Sequence, residues 1–214
     1  MSSAGSKDLP EEGRGRGRAS GGRSPNPAYE LFVLGELMTG AHHGYILHEI
    51  IQRMLGPFHR LSWGTLYPLF RRLEQQGLIT SETEPRSQEE GGQPRKLYHI
   101  TEAGQSRFFT LMLDRGEYSP DYQDLFMVKL SKFVFLTSPQ QLVVLQQYRE
   151  YLRVLREHYY VGGQSLPFNP VISEQERPFL LQIADYQVLT LDAKLAWLDG
   201  RIAPLEATPM NNDR

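Results

Sequence analysis

The segment Leu61–Gly77, with the sequence LSWGTLYPLFRRLEQQG, decides the fold, because it predicts a short helix with one apolar and one polar face. Its apolar residues are spaced i, i+3, i+4 and i+7, which places them on one buried side of a helix. These residues are Leu66, Leu69, Phe70 and Leu73. The residues turned outward are Thr65, Tyr67, Arg71, Arg72 and Gln75. Hydroxyl and guanidinium groups on one exposed face are typical of a recognition helix that lies against nucleic acid.

Both ends of this helix are indicated in the sequence. Ser62 is a suitable N-cap, and Gly77 followed by apolar Leu78 is typical of a left-handed helix end. Pro68 conflicts with a start at Ser62, since it would remove a hydrogen bond inside the helix. A start at Thr65 avoids the conflict, and the sequence leaves the choice open.

The bulk composition is that of an ordinary globular protein. A chain of 214 residues, of which 40% are hydrophobic and 11% aromatic, suits one or two domains and can bury a core without cross-links. The chain contains no cysteine, which excludes a disulfide framework, a thiolate zinc site and a cysteine nucleophile. We expect neither a metal nor a cofactor.

The charge and the apolar runs restrict the partners. The net charge of −2 is not that of a sequence-blind nucleic-acid binder, so DNA binding would need a local basic patch that a dimer duplicates. No apolar run reaches the length of a membrane span, and the polar N-terminus lacks the apolar part of a secretory signal. We therefore expect a cytoplasmic protein with no membrane partner.

The chain divides into four parts by composition and periodicity. Residues 1–24 form a Gly/Arg/Ser-rich tail that we expect to be disordered. Residues 25–115 predict three short helices, a two-stranded hairpin and a further helix, the pattern of a winged helix-turn-helix domain. Residues 116–204 predict only helices, and residues 205–214 a flexible tail. The predicted fold class is mainly α, with a DNA-binding domain followed by an all-helical dimerisation domain.

The hairpin strands are predicted at Leu78–Thr83 and Arg95–Ile100, on either side of a polar loop that contains Glu84, Glu89 and Glu90. The helix after them runs from Thr101 to about Arg115. The acidic loop weakens the case for wing contacts with DNA.

The C-terminal half predicts long helices with wide apolar faces. One helix begins after Thr137, with Ser138 as the cap before Pro139, and ends at Gly162-Gly163. Its apolar residues are spaced 3, 4, 3, 4, which is typical of a coiled coil. They are Leu145, Tyr148, Leu152, Leu155 and Tyr159. The last long helix is capped by Ser173 and ends at Gly200 and Pro204. Such faces predict that a second copy of the chain covers them.

Four motifs in chain order resemble the PadR family of bacterial transcriptional regulators. They are His43-Gly44-Tyr45, GTLYPL at Gly64–Leu69 with RLE and GLI within Arg72–Ile79, PRKLY at Pro94–Tyr98, and TEAG at Thr101–Gly104. The resemblance covers Tyr29 to about Arg115. It implies a homodimeric repressor that binds a palindromic operator in double-stranded DNA. The Arg/Gly tail and the acidic wing loop depart from the family pattern.

The candidate DNA contacts follow from the chemistry of the side chains, since phosphate contacts position a protein and base contacts specify sequence. Hydroxyl groups near the start of the helix suit phosphates, and the arginines suit phosphate or a guanine edge. Trp63 would contact DNA or pack on the second helix, and Tyr98 would contact phosphate or face the core. The complete set is Ser62, Trp63, Thr65, Tyr67, Arg71, Arg72, Gln93, Arg95, Lys96 and Tyr98.

A site for a small aromatic effector is a further hypothesis. The resemblance implies effector binding on apolar aromatic surfaces near the dimer interface. The candidates here are Trp197, Phe126, Phe133 and Tyr148. Aromatic residues at helical spacing also serve as ordinary core.

Other classes of function find less support. The histidines at 42, 43 and 48 lack the spacing of a zinc-protease helix, and neither a nucleophile elbow nor a P-loop occurs, so we expect no enzyme. The alternative is a winged-helix adaptor that binds protein instead of DNA, which the acidic wing and the negative net charge favour.

Overall fold

The computed structural model describes residues 27–55, 62–84 and 95–207. Seven α-helices and three strands occur in this part of the chain. In order they are α1 Pro27–Leu37, β1 His42–His43, α2 Gly44–Leu55, α3 Trp63–Gln75, β2 Ile79–Glu84, β3 Arg95–Ile100, α4 Glu102–Leu113, α5 Tyr122–Ser131, α6 Ser138–Ser165 and α7 Arg177–Ala207. Short 3-10 turns lie at Phe133–Phe135 and Leu166–Phe168. The predicted class, mainly α with a winged helix-turn-helix and a helical C-terminal region, is confirmed.

The sheet contains one strand more than the sequence predicts. Its order is β1-β3-β2, and both pairings are antiparallel. Strand β2 pairs with β3 from Ile79 opposite Ile100 to Glu84 opposite Arg95, as expected of a wing hairpin. The added strand β1 places His42 opposite Tyr98. Two residues carry no alternating pattern, so sequence periodicity could not reveal this strand.

Helix α1 lies at the centre of the molecule and is buried on nearly every side. It contacts α2, β3 and α4 on the side of the winged helix and α5 on the side of the C-terminal helices. Leu31, Phe32, Val33 and Leu34 are all fully buried. One continuous core therefore joins the two predicted domains, although the boundaries assigned to them remain predictions.

Helix α6 differs from its prediction at both ends. Thr137 is the N-cap, in a capping box with Gln140, so Ser138 is the first helical residue and not the cap. The helix does not break at Gly162-Gly163 but continues to Ser165. A Cβ on Gly163 would lie 3.1 Å from the Cβ of Ala184, so this glycine lets α6 approach α7 closely.

The predicted coiled-coil face of α6 packs within its own chain. Leu145, Tyr148 and Leu152 are buried, and Leu155 and Tyr159 pack against the same core. Helix α7 is the principal neighbour of α6. A partner chain is therefore not needed to cover this face.

Helix α7 is longer at its C-terminal end than predicted. It continues through Gly200 and Pro204 to Ala207, because buried Ile202 and partly buried Leu205 hold its last turns on the core. Ser173 does not begin the helix directly. Its hydroxyl accepts a hydrogen bond from the amide of Glu176 in the turn before Arg177. The predicted tail at residues 1–24 lies outside the described residues. Of the predicted flexible tail at residues 205–214, residues 205–207 belong to α7, which corrects the prediction there, and residues 208–214 lie outside the described residues.

Across the described ranges, no helix combines the length and the apolar character that crossing a bilayer requires.

Candidate nucleic-acid interface

The start and the end of α3 are now defined. Ser62 is the N-cap in extended conformation, although its side chain makes no capping bond and lies 3.3 Å from the Thr65 hydroxyl oxygen. Pro68 lies inside the helix, so the start at Ser62 is correct despite the lost hydrogen bond. Gly77 has a φ of +68°, and the Leu78 amide donates to the Leu73 carbonyl at 2.9 Å. The predicted left-handed helix end is confirmed.

The two faces of α3 are those predicted, except at Arg72. Its inward face is formed by the buried side chains Leu66, Leu69, Phe70 and Leu73. Tyr67 and Arg71 stand on the opposite, exposed face, and the Arg71 guanidinium lies 5.9 Å from the centre of the Tyr67 ring. A cation over an aromatic face is held by the ring quadrupole, which limits its rotamers. Gln75 is exposed on the same side.

Arg72 does not project freely as its neighbour does. Its guanidinium donates to Glu30 of α1 at 3.1 Å, and Arg107 of α4 donates to the other oxygen of the same carboxylate at 2.8 Å. The Glu30 side chain is only 12% exposed. The sequence places these residues far apart, so helical periodicity could not indicate the pairing.

Trp63 is both packed and exposed. Its indole stacks on the His48 ring of α2, with centroids 4.8 Å apart and planes at 12°. The residue nevertheless keeps 47% of its surface exposed. Packing on the second helix is thus present, and contact of the other face with DNA remains a prediction.

The wing residues divide between surface and core. Arg95 is exposed and lies 5.1 Å from the Tyr45 ring centre, while Lys96 pairs with Glu74 of α3 at 3.4 Å. Tyr98 faces the core and stacks on Phe70 at 4.7 Å, so of its two predicted roles the structure supports the internal one. Burial raises the pKa of Tyr98 to about 12, with smaller contributions from Glu74 and Tyr67. Gln93, Glu89 and Glu90 lie outside the described residues.

Two histidine–glutamate pairs along the sheet were not predicted. His43 of β1 lies 3.5 Å from a Glu84 carboxylate oxygen, and His99 of β3 lies 2.9 Å from one of Glu82. Both glutamates belong to β2, so they place negative charge at the wing. The acidic residues at the end of β2 can be recognised in the sequence. Their histidine partners can be identified only from the pairing of the strands.

Three of the four predicted effector residues meet in one groove. Phe126 of α5, Tyr148 of α6 and Trp197 of α7 line an open apolar groove of about 620 Å³, with Lys194 at its edge. The rings of Phe126 and Tyr148 stack with centroids 3.7 Å apart. Phe133 does not line this groove.

Two buried lysines, one on α5 and one just beyond its end, join the two predicted domains. The Lys129 ammonium donates to the Asp114 carbonyl at the end of α4, and burial lowers the pKa of this lysine to about 8 against the opposing effect of Asp114. The Lys132 ammonium, just beyond α5, donates to Glu36 of α1 at 2.6 Å. An apolar-periodicity analysis counts lysines as surface residues and therefore missed both.

Among the described residues, no cluster of three or more histidine, aspartate or glutamate side chains has the geometry of a metal site.

Comparison with known proteins gives a family for the winged-helix part. The model of the transcriptional regulator PadR-like family matches residues 33–109. No curated protein matches the sequence. The matched family is one of transcription regulators, which supports the expectation of a regulator over an enzyme for this part of the chain.

Several solved structures are similar to part of this chain. PadR of Bacillus subtilis in complex with operator DNA is 17% identical, with 85% of this chain and 99% of that chain covered and a TM-score of 0.40. The same protein in complex with p-coumaric acid is 17% identical, with coverage of 84% and 99% and a TM-score of 0.36. A transcriptional regulator from Clostridium thermocellum is 25% identical, with coverage of 39% and 78% and a TM-score of 0.34.

Proposed function

We propose that this chain, whose residues 33–109 form a PadR-like transcriptional regulator domain, is a cytoplasmic homodimeric repressor that binds a palindromic operator. The observation that carries the proposal is the exposed face of α3. Tyr67, Arg71 and Gln75 share this face, whereas Arg72 and Lys96 beside it are paired with carboxylates. Among the described residues, carboxylates pair with Arg72 and Lys96 but not with Arg71, and this arrangement favours binding that depends on sequence.

The geometry of α3 suits insertion into the major groove. Ser62 and Thr65 place hydroxyl groups beside the free amides of its first turn, where an anion is favoured. Arg71 begins two turns further along the outward face, where a guanidinium can reach the N7 and O6 atoms of guanine. Arg95 of the wing, held over Tyr45, is placed for a phosphate contact that adds affinity without specificity.

The dimer interface is proposed on α7. Its outward residues Phe179, Ile183, Tyr186 and Trp197 are 65%, 55%, 66% and 44% exposed. Phe179, Ile183 and Tyr186 follow one another at spacings of four and three, and Trp197 lies eleven residues beyond Tyr186 on the same side. An apolar strip of this length is costly to leave in water, so a second copy of the strip is its simplest cover.

Sedimentation tests this interface. We expect the wild-type protein to sediment as a dimer, and Tyr186→Asp to shift it toward the monomer with its helical content unchanged. Val134→Asp is the matched control, because Val134 is also exposed but lies off α7. A wild-type protein that stays monomeric at every concentration would contradict the dimer.

The groove of Phe126, Tyr148 and Trp197 is the proposed site of a small aromatic effector that releases the repressor from DNA. Its lining combines three aromatic rings with aliphatic and polar side chains, and Lys194 at the edge donates to Gln123 at 2.7 Å. The adaptor alternative keeps one supporting observation, the negative charge of Glu82 and Glu84 on the wing.

Fluorescence anisotropy separates regulator from adaptor. We expect preferential binding to DNA from upstream of the coding region over a scrambled duplex, with affinity that falls steeply as salt rises. An adaptor would bind neither duplex, even at low salt. Adding aromatic acids to the preformed complex tests effector release.

Arg71→Ala is the sharpest variant in this assay. Loss of a base-reading arginine should weaken the native complex by roughly 1–3 kcal/mol and the scrambled complex much less. Arg153→Ala, which removes an exposed arginine from α6, is the control and should change neither affinity. Equal weakening of both complexes by Arg71→Ala would assign this residue to phosphate instead.

A further inference from the structure

We propose that Glu30, which does not face the proposed interface, limits the sequence-independent affinity for DNA by withholding Arg72 from phosphate. The proposal rests on the proposed function, since it concerns how strongly the flank of α3 holds any duplex. The Glu30 carboxylate and the DNA phosphates compete for the guanidinium group of Arg72.

The contacts of Glu30 define a compact charge cluster. Its two carboxylate oxygens accept from two different arginines, Arg72 of α3 at 3.1 Å and Arg107 of α4 at 2.8 Å. Three helices, α1, α3 and α4, thus meet at one side chain. The carboxylate is 12% exposed, whereas Arg72 and Arg107 are 27% and 43% exposed.

This difference in exposure matters for the competition. A carboxylate away from water attracts guanidinium more strongly than one in bulk solvent, because the local dielectric constant is lower. The arginines nevertheless keep an open side, so a guanidinium released from Glu30 can turn outward without unfolding anything. Glu30 therefore fixes the Arg72 guanidinium, which would be free to turn toward solvent without this carboxylate.

The position of Arg72 makes the released cation relevant to DNA. It directly follows Arg71, which stands on the exposed face, so its side chain starts about 100° further around the helix. From that flank an arginine is long enough to reach a phosphate beside the groove that α3 enters. With Glu30 present, the same guanidinium points to α1.

Withholding a phosphate contact lowers the affinity for every duplex alike. Phosphate contacts add affinity for every sequence, while base contacts add it for the operator alone. A regulator with fewer phosphate contacts therefore dissociates from non-specific DNA at lower salt, while the ratio of native to scrambled affinity still depends on Arg71 and its neighbours. Glu30 is then a positioning residue that acts through Arg72.

The test measures the salt dependence of binding for Glu30→Gln, Arg72→Gln and the double variant. In Glu30→Gln we expect one added phosphate contact in each protomer of the proposed dimer, which steepens the slope of log K against log salt by about 0.9 per protomer, or about 1.8 in all. Binding to the scrambled duplex should tighten on the order of fivefold to tenfold at 0.1 M salt for each protomer that contacts DNA. Binding to the native duplex should tighten by the same factor, so the ratio of native to scrambled affinity should stay unchanged.

The double variant and the single arginine variant decide the assignment. In the Glu30→Gln/Arg72→Gln protein the slope should return to the wild-type value, and Arg72→Gln alone should leave it unchanged. A slope shallower by about 0.9 per protomer in Arg72→Gln would show that Arg72 already contacts phosphate, which overturns the proposal. An unchanged slope in a folded Glu30→Gln protein overturns it too.

Two other results are distinguishable from these. If Glu30→Gln fails to fold, Glu30→Asp takes its place, because it keeps the charge but draws the carboxylate back from Arg72, and an unchanged slope in that variant would overturn the proposal. If the wild-type protein binds neither duplex with a salt-dependent affinity, the proposed DNA-binding function fails, and this inference fails with it.

Discussion

Glu36→Ala is expected to lower the free energy of unfolding by roughly 3–5 kcal/mol, because it leaves a buried ammonium without its counter-charge. Glu36 of α1 and Lys132 are joined at 2.6 Å, and their side chains are only 12% and 8% exposed. The Lys132 stem also fills space beside Gly35, where a Cβ would lie 3.1 Å from it. Lys132 therefore cannot swing into solvent without opening this packing.

Urea denaturation of the two single variants and one double variant measures the effect. Glu49→Ala is the matched control: it also breaks a glutamate–cation pair, with Arg53 on α2, but those side chains are 53% and 78% exposed. We expect the control to lose at most about 0.5 kcal/mol. Glu36→Leu/Lys132→Met should recover most of the loss, since the buried charge is removed with its partner. A loss below about 1 kcal/mol in Glu36→Ala would contradict the argument.

The same pair explains how much of the fold the sequence can predict. The α3 face, the paired strands of the wing and the left-handed end at Gly77 depend on residues within a few positions of one another, so periodicity and local chemistry reveal them. The Glu36–Lys132 and Glu30–Arg72 pairs join residues 96 and 42 positions apart. Only the packing of α1 between the two halves of the chain brings these residues together.

The errors have the same origin. Gly162-Gly163 has the local composition of a break, but contact between α6 and α7 continues through it and outweighs the low helix propensity of glycine. The coiled-coil spacing of α6 correctly predicts a buried face. It does not say whether the cover is a second chain or, as found, α7 of the same chain.

The assignment of DNA contacts shows the limit most clearly. Arg71 and Arg72 are adjacent arginines that the sequence pattern does not distinguish. In the structure Arg71 lies over Tyr67 on the surface, whereas Arg72 is paired with Glu30. These environments lead us to propose a base contact for Arg71 and no phosphate contact for Arg72, a distinction that the sequence alone could not make.

Gly104→Ala is the second substitution from which we expect a large effect. A Cβ on Gly104 would lie 2.1 Å from the carbonyl oxygen of Leu78 and 2.7 Å from a side-chain carbon of Ile100. The first turn of α4 is fixed at this short distance, since the Thr101 amide donates to the Leu78 carbonyl at 3.1 Å and the Thr101 hydroxyl accepts from the Gly104 amide. The backbone of α4 must therefore move away from the base of the wing.

We expect this overpacking to destabilise the protein by about 1–3 kcal/mol or more, and to lower the melting temperature by roughly 2–4 °C for each kcal/mol. Gly162→Ala is the matched control, because it makes the same change inside a helix where, among the described residues, no atom beyond the neighbouring helix backbone lies within 4 Å of the added carbon. That variant should instead gain up to about 1 kcal/mol, the difference in helix propensity between alanine and glycine. Equal melting temperatures for the two variants would show that α4 can shift freely against the wing. In that case the glycine of the TEAG segment would have no packing role, and the rigid attachment of the wing to α4 would have to come from Thr101 alone.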